Sequence, residues 1–315
     1  AMGGIINIVT NDPSENKLST SLTYANYNTH KIDLTYSKII NKKISSSISI
    51  IKHSTDGMIE NSHTKTNDTN SQDEYLFRSK IFFKLSPTIN FKFTYYYINA
   101  NNKYDIWSPD NNGYISYADY QGFDRQKTKA FSIRSNLLFS NYIITSISTY
   151  SENKLLYSYD GDWANIAYWN IPWYDFSDST DRNRKSYSQE FKFNFNNISS
   201  GIYLSFLEED DYKEGYFFAG EGALKSKYKI TNIATYIQNN IKIKKNLYLK
   251  VSLRSDQYRT VQNLSYSLIY DYDYYLSNNY GPLLFSQYDS NLSWNISLVY
   301  NKSSFSSFFI SHAKG

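Results

Sequence analysis

The chain has 315 residues, a net charge of +4 and a mean hydropathy of −0.57, with 33 Tyr, 5 Trp, 2 Met and no Cys. It contains no run approaching the ~18 apolar residues of a membrane helix, no disulfide framework or thiolate metal site, and no basic block of the kind that binds nucleic acid. Asn, Lys, Ile, Tyr and Ser abound while Gly and Pro are scarce; AT-rich coding bias yields the same profile, so tyrosine content alone signals no ligand.

The chain opens AMGGIINIVTNDP. Gly3-Gly4 lets the backbone turn sharply or pass close to a neighbour. Ile5 to Val9 is β-branched and apolar on both faces around Asn7, which predicts a short strand buried on both sides. Asn11-Asp12-Pro13 ends it. Residues 1–13 are therefore expected to be the last strand of a unit folded upstream, and 14–315 a second, all-β domain.

From Leu18 onward, period-2 alternation recurs. It runs through Leu18–Tyr24, Ile32–Lys38, Ile44–Ile50, Tyr75–Leu85 and Phe91–Tyr97, and again from near Phe131, Tyr142, Tyr187, Ile202, Ile230, Leu247, Leu292 and Phe305. That makes about thirteen strands near the ~10-residue length of a tilted membrane strand, and no helix is expected. Leu34, Ile48, Phe83, Phe93 and Phe193 are expected on one face, toward lipid, with Lys80, Lys84 and Lys192 on the other.

The connections carry more information. Short turns fall at Asn41-Lys42, Ser86–Asn90, Ser140-Asn141, Asn196–Ser200, Lys244–Asn246 and Asn301-Lys302. Long polar segments lie between them, at roughly 53–74, 99–127, 151–185, 207–228 and 255–290. Alternating short and long connections are the pattern of an up-and-down outer-membrane barrel. A sandwich does not need this alternation, and no four-strand blade repeat suggests a propeller. An odd strand count leaves a barrel unclosed, so further strands are expected after Gly315.

These stretches resemble TonB-dependent outer-membrane receptors. Ala1 to Thr10 is similar to the segment that ends the plug domain of that family, with Gly3, Gly4 and Asn7 in the motif. KSYSQEFKFN, Lys185 to Asn194, resembles a Ser-Gln-Glu barrel strand of one large branch. Ala234 to Arg259 resembles its paired hairpin, reading Ser252-Leu253-Arg254-Ser255 where Gly-Leu-Arg-Tyr is usual. Leu292 to Gly315 resembles the hairpin ending Tyr-Ala-Ser-x-x-x-Gly. The resemblance implies a 22-stranded transmembrane antiparallel β-barrel filled by a plug, in the outer membrane of a Gram-negative bacterium. It implies transport rather than bond-making, with no cofactor and with the inner-membrane TonB complex as partner through a plug N-terminus upstream of this chain. Implied ligands are ferric siderophores first, then haem, cobalamin or glycans.

Ligand contacts are expected in the outer loops. One holds Tyr104, Trp107, Tyr114, Tyr117 and Tyr120; another holds Tyr157, Tyr159, Trp163, Tyr168, Trp169, Trp173 and Tyr174. Rigid aromatics stack on catecholates, porphyrins or sugars, although rim aromatics also form the interfacial girdle of any membrane barrel. Lys103, Arg125 and Lys127 flank the first loop, and Arg182, Arg184 and Lys185 follow the second. These cations suit an anionic ferric complex, or equally the phosphates of surface lipopolysaccharide. SPDNNGYISYAD, Ser108 to Asp119, sets Asp110, Asn112 and Asp119 at positions 3, 5 and 12 of a calcium loop; a Gly-containing turn accounts for the same letters. The four His lack zinc spacing, and LEEDD at 207–211 reads as a solvated acidic run. A passive porin and an outer-membrane enzyme are the alternatives; no Ser/His or paired-carboxylate constellation supports the enzyme.

Overall fold

The computed structural model describes residues 10–105, 107–217, 220–270, 278–302 and 306–314. Gly3, Gly4 and Asn7 lie outside them. Fifteen strands and one short helix are described: β1 Lys17–Ala25, β2 Thr29–Ile39, β3 Ile44–Thr55, β4 Glu60–Asn61, β5 Gln72–Lys84, β6 Ile89–Lys103, β7 Ile115–Ser116, β8 Phe123–Leu138, β9 Tyr142–Asp160, α1 Ile166–Trp169, β10 Ser177–Phe195, β11 Ile198–Phe217, β12 Gly220–Lys244, β13 Leu247–Tyr270, β14 Asn278–Asn301 and β15 Ser307–Lys314. All but β4 and β7 form one thirteen-stranded antiparallel sheet in strict chain order. β4 and β7 are a two-residue parallel ladder that ties two loops together. Among the described residues β1 pairs only with β2, and β15 only with β14, so both sheet edges are free.

Cross-strand partners share a face, so the register sorts the side chains. Leu34 is level with Ile50, Ile44 with Phe83, Phe83 with Phe91, and Ile144 with Phe193. Alternation along each strand then puts Leu34, Ile48, Phe83, Phe93 and Phe193 on one face. That face is apolar and open: Phe191 is 52% exposed, Ile202 49% and Ile237 48%. The opposite face is polar and covered, with Ser47, Lys80, Thr145, Asn232 and Asp256 all buried. A water-soluble sheet inverts this distribution; a barrel wall with lipid outside has it.

The inner face is also marked by the chain's own start. Lys80 Nζ donates to the Thr10 carbonyl at 2.8 Å and the Asn11 carbonyl at 3.0 Å, and Lys92 Nζ lies 2.5 Å from Asp12 Oδ2. Pro13 is buried beside them. Residues 10–13 thus lie against the polar side of β5 and β6, near the rim of the short turns.

Three expectations are corrected. The polar segments at 151–185, 207–228 and 255–290 are largely strand: β9 reaches Asp160, β10 starts at Ser177, β11 runs to Phe217 and β13 to Tyr270. Above the ~10 residues that cross lipid, both faces of these strands are polar, so no hydropathy period remains, yet the ladder continues. The β1–β2 connection on the long-loop rim is only Asn26 to Asn28, with Tyr27 and Asn28 at φ 59° and 53°. Lastly, α1 has four residues capped by the Asn165 side chain, too few to show a helical period.

Candidate functional site

Three connections, 56–71, 104–122 and 161–176, build a cap over the long-strand rim. Small residues bring them close: Ala118 and Ala164 are almost wholly buried. Asn61 Nδ2 donates to the Ala118 carbonyl at 2.8 Å, Asn165 Nδ2 to the Tyr117 carbonyl at 2.7 Å, and the Asp119 N–H to the Ala164 carbonyl at 3.2 Å. Each loop therefore satisfies backbone groups of another, as buried loop backbone requires.

Two buried carboxyls complete the cap. Asp160 Oδ2 accepts the Asp119 and Tyr120 N–H groups at 3.1 and 3.3 Å. Asp105 accepts the Asp160 N–H at 3.2 Å and the Gly122 N–H through its other oxygen. Gly122 is required there, because a Cβ would meet the Tyr104 carbonyl oxygen at 1.5 Å. Burial pushes the Asp105 carboxyl up to about 7, against the two N–H donors that favour the charged form. Burial, then the neighbouring Asp162, raises Asp160 too.

The cap gathers the aromatic candidates unevenly. Trp107 and Trp163 come from different loops to a centroid distance of 6.2 Å, and both are exposed. Tyr104 accepts from Trp107 Nε1 at 3.3 Å and packs 5.2 Å from Tyr157. Trp169 is anchored: its Nε1 donates to the Asp162 carbonyl at 3.2 Å and its ring meets Tyr174 edge-on at 5.1 Å. Trp173 stays exposed beside Tyr174. Within SPDNNGYISYAD, Asp110 accepts from the Asn112 N–H and the Tyr117 hydroxyl, and Asn112 accepts from the Tyr114 N–H. These are turn-forming bonds, and among the described residues no group of three or more metal-ligating side chains gathers.

The cationic candidates are not in loops. Arg125 lies on β8, and Arg182 and Arg184 on β10. Arg182 Nη2 is 2.9 Å from Asp211 and Arg184 Nη2 is 2.5 Å from Glu209 across the β10–β11 ladder. The acidic run 207–211, expected to be solvated, supplies both partners, Glu209 and Asp211, whose side chains are mostly covered. Arg125 stacks over Phe123 at 3.7 Å. Register with Phe131 puts Arg125 and Lys127 on the outer face, and register with Tyr187 puts Lys185 there.

One inner-face cluster escaped the sequence reading. Tyr236 donates to Glu190 Oε1 at 2.5 Å; Arg254 makes two bonds of 2.8 Å to Asp256, which also accepts from Asn232 at 3.3 Å. Gly201 makes room for the phenol, since a Cβ there would lie 2.5 Å from the Tyr236 hydroxyl. Glu190 sits in the Ser-Gln-Glu strand, Arg254 and Asp256 in the Ser-Leu-Arg-Ser strand, and Asn232 and Tyr236 on β12 between them in the hairpin; only the register brings them together.

No protein-family model and no curated protein sequence matches the chain. Solved structures do. The ferric yersiniabactin uptake receptor FyuA of Yersinia pestis superposes with a TM-score of 0.72 at 13% identity, over 96% of this chain and 47% of its own. The fold is that of an outer-membrane receptor barrel. The siderophore receptor PiuA of Acinetobacter baumannii shares it with a TM-score of 0.68 at 13% identity, over 94% of this chain and 48% of that one. The copper transporter OprC shares it with a TM-score of 0.62 at 7% identity, over 95% and 45%. The chain thus spans about half the length of these receptor-barrel structures. All three are described as receptors or a transporter, none as an enzyme.

Proposed function

We propose that the chain is part of a TonB-dependent outer-membrane receptor of a Gram-negative bacterium, importing an iron complex of the ferric siderophore class. The observation that carries this is the paired one of an apolar, exposed outer face and a polar inner face that holds residues 10–13 at Lys80. A passive porin gives no account of a chain segment gripped inside the wall. The two free edges support a larger closed barrel, because unpaired strand edges are costly in hydrocarbon.

The ligand class rests on what FyuA and PiuA are named for, together with the exposed aromatics of the cap. It gains little from charge: Arg182 and Arg184 are neutralised by Asp211 and Glu209, while Arg125 and Lys127 face outward. Uptake of a glycan is the second reading, favoured by the exposed Trp107–Trp163 pair, which suits sugar stacking as well as a catecholate. Gene expression and growth separate them. Induction by iron starvation, with growth restored by a ferric siderophore, supports the first; induction by a polysaccharide at constant iron contradicts it.

A further inference from the structure

The outer face carries a basic patch that neither the lumen nor the cap uses. Just below it runs a row of rings: Phe131 and Tyr150 at 5.5 Å between centroids, then Tyr150 and Tyr187 at 4.8 Å. Such a row marks the membrane–water interface. The next outward-facing row holds Lys129, Glu152 and Lys185, and the row above that Lys127, Lys154 and Asn183. Each row is two residues, about 7 Å, further along the strand, which at a barrel's tilt raises it roughly 5 Å from the bilayer. Arg125 tops the patch.

In this patch the cations outnumber the carboxylates. On the same face, Lys227 and Lys229 are paired with Glu208 and Asp210, and Lys52 is paired with Asp73. Lys127 stands directly opposite Lys154, a like-charge cross-strand pair, which is unfavourable unless an anion sits between them. Among the described residues neither has a carboxylate partner. Five cations, Arg125, Lys127, Lys129, Lys154 and Lys185, share this face with Glu152 and Asp181; the two carboxylates at its borders, Glu208 opposite Lys185 and Asp73 beside Arg125, are already engaged by Lys227 and Lys229 and by Lys52. Long lysine stems reach along a wall while their heads stay at the polar layer, and ammonium groups bind phosphate as point charges.

We propose that the outer wall of β8–β10 binds the phosphates of lipopolysaccharide, with Lys127 and Lys154 as the central pair. This rests on the outer-membrane reading above, since it places this rim in the outer leaflet. The side chains point away from the lumen, so an imported anion does not reach them. The height above the ring row matches a lipid phosphate rather than a sugar chain further out.

The test uses the full-length protein extracted from outer membranes, with the double variant Lys127→Gln/Lys154→Gln and the control Lys227→Gln. Lipopolysaccharide retained after detergent exchange is counted by native mass spectrometry. Retention is expected to fall at least tenfold in the double variant and to hold in the control. Wild-type protein should rebind phosphorylated lipopolysaccharide, and lose that binding when the lipid is dephosphorylated or replaced by phosphatidylglycerol vesicles. Equal retention by the double variant, or equal binding of dephosphorylated lipid or of phosphatidylglycerol, overturns the site. If the protein fractionates away from the outer membrane, the parent reading fails instead; a heat-modifiable barrel in that membrane with unaltered lipid retention removes this inference alone.

Discussion

The Lys80 ammonium lies 2.8 Å from the carbonyl oxygen of Thr10, seventy residues earlier in the chain. Lys80 is 6% exposed, so its charge depends on the Thr10 and Asn11 carbonyls and on Asp12. Charge-assisted hydrogen bonds of this kind contribute about 1.5–3 kcal/mol. Lys80→Met in the full-length protein should therefore speed hydrogen exchange at residues 10–12 by roughly ten- to a hundredfold. Unchanged exchange would mean that the tail is held by something else.

The inside–outside assignment gives a second test. Phe191→Arg places a guanidinium on the lipid face midway between the Tyr187 ring row and the turn after Phe195, and should cost about 2–4 kcal/mol of folding stability. Lys84→Ala, on the opposite face, should cost far less. Equal tolerance of the two in folding titrations into bilayers would mean the faces are assigned the wrong way round.

Topology follows from strand parity. With residues 10–13 at the short-turn rim, the proposed receptor is expected to carry the cap outside the cell and Lys245 in the periplasm. A maleimide that does not cross the membrane should label Asn111→Cys in intact cells and spare Lys245→Cys. Labelling of the second and not the first inverts the orientation.

The cap should loosen as pH rises. Burial holds Asp105 at about 7 in the folded cap, above its ordinary carboxylate value. The folded state therefore keeps a proton that the opened state has released, and stability falls with rising pH between roughly 4 and 7. Asp160 is shifted the same way and adds to the trend. After correction for intrinsic rates, protection of the Tyr120 and Gly122 amides should drop from pH 5 to pH 8, and drop less in Asp105→Asn. Protection that is flat or rises with pH contradicts the assignment.

Gly201 is a test of the inner cluster. Gly201→Ala would crowd the Tyr236 hydroxyl at 2.5 Å and the Phe191 carbonyl at 2.7 Å, so the Tyr236–Glu190 bond should break. The loss expected is about 1.5–3 kcal/mol, the range for losing a hydrogen bond to a charged group. Tyr236→Phe should restore part of it in the double variant by removing the hydroxyl. Full stability in Gly201→Ala alone would remove the steric argument.

Much of this architecture was legible in the sequence, for a definite reason. Where one face meets lipid and the other does not, alternation is written into letters such as Phe191, Phe193 and Phe195. Where a strand rises into water, as in Ser177–Lys185, both faces are polar and the letters read as a loop. The Trp107–Trp163 pair was legible as two aromatic loops but not as a contact, because loop packing rests on Ala118, Ala164 and Asn61, which carry no pattern. The fate of the cations was the least legible: whether Arg182 is free depends on Asp211, twenty-nine residues away, and whether Lys127 faces lumen or lipid depends on a one-residue register.

Iron uptake is the decisive test of the proposed transport. Cells grown under iron limitation would be given their own siderophore loaded with radiolabelled iron, with and without the intact gene, and with TonB active or depleted. Saturable uptake is expected, falling to background when either the gene or TonB is removed. Uptake that persists without the gene, or uptake through the protein that continues at full rate without TonB, would contradict it.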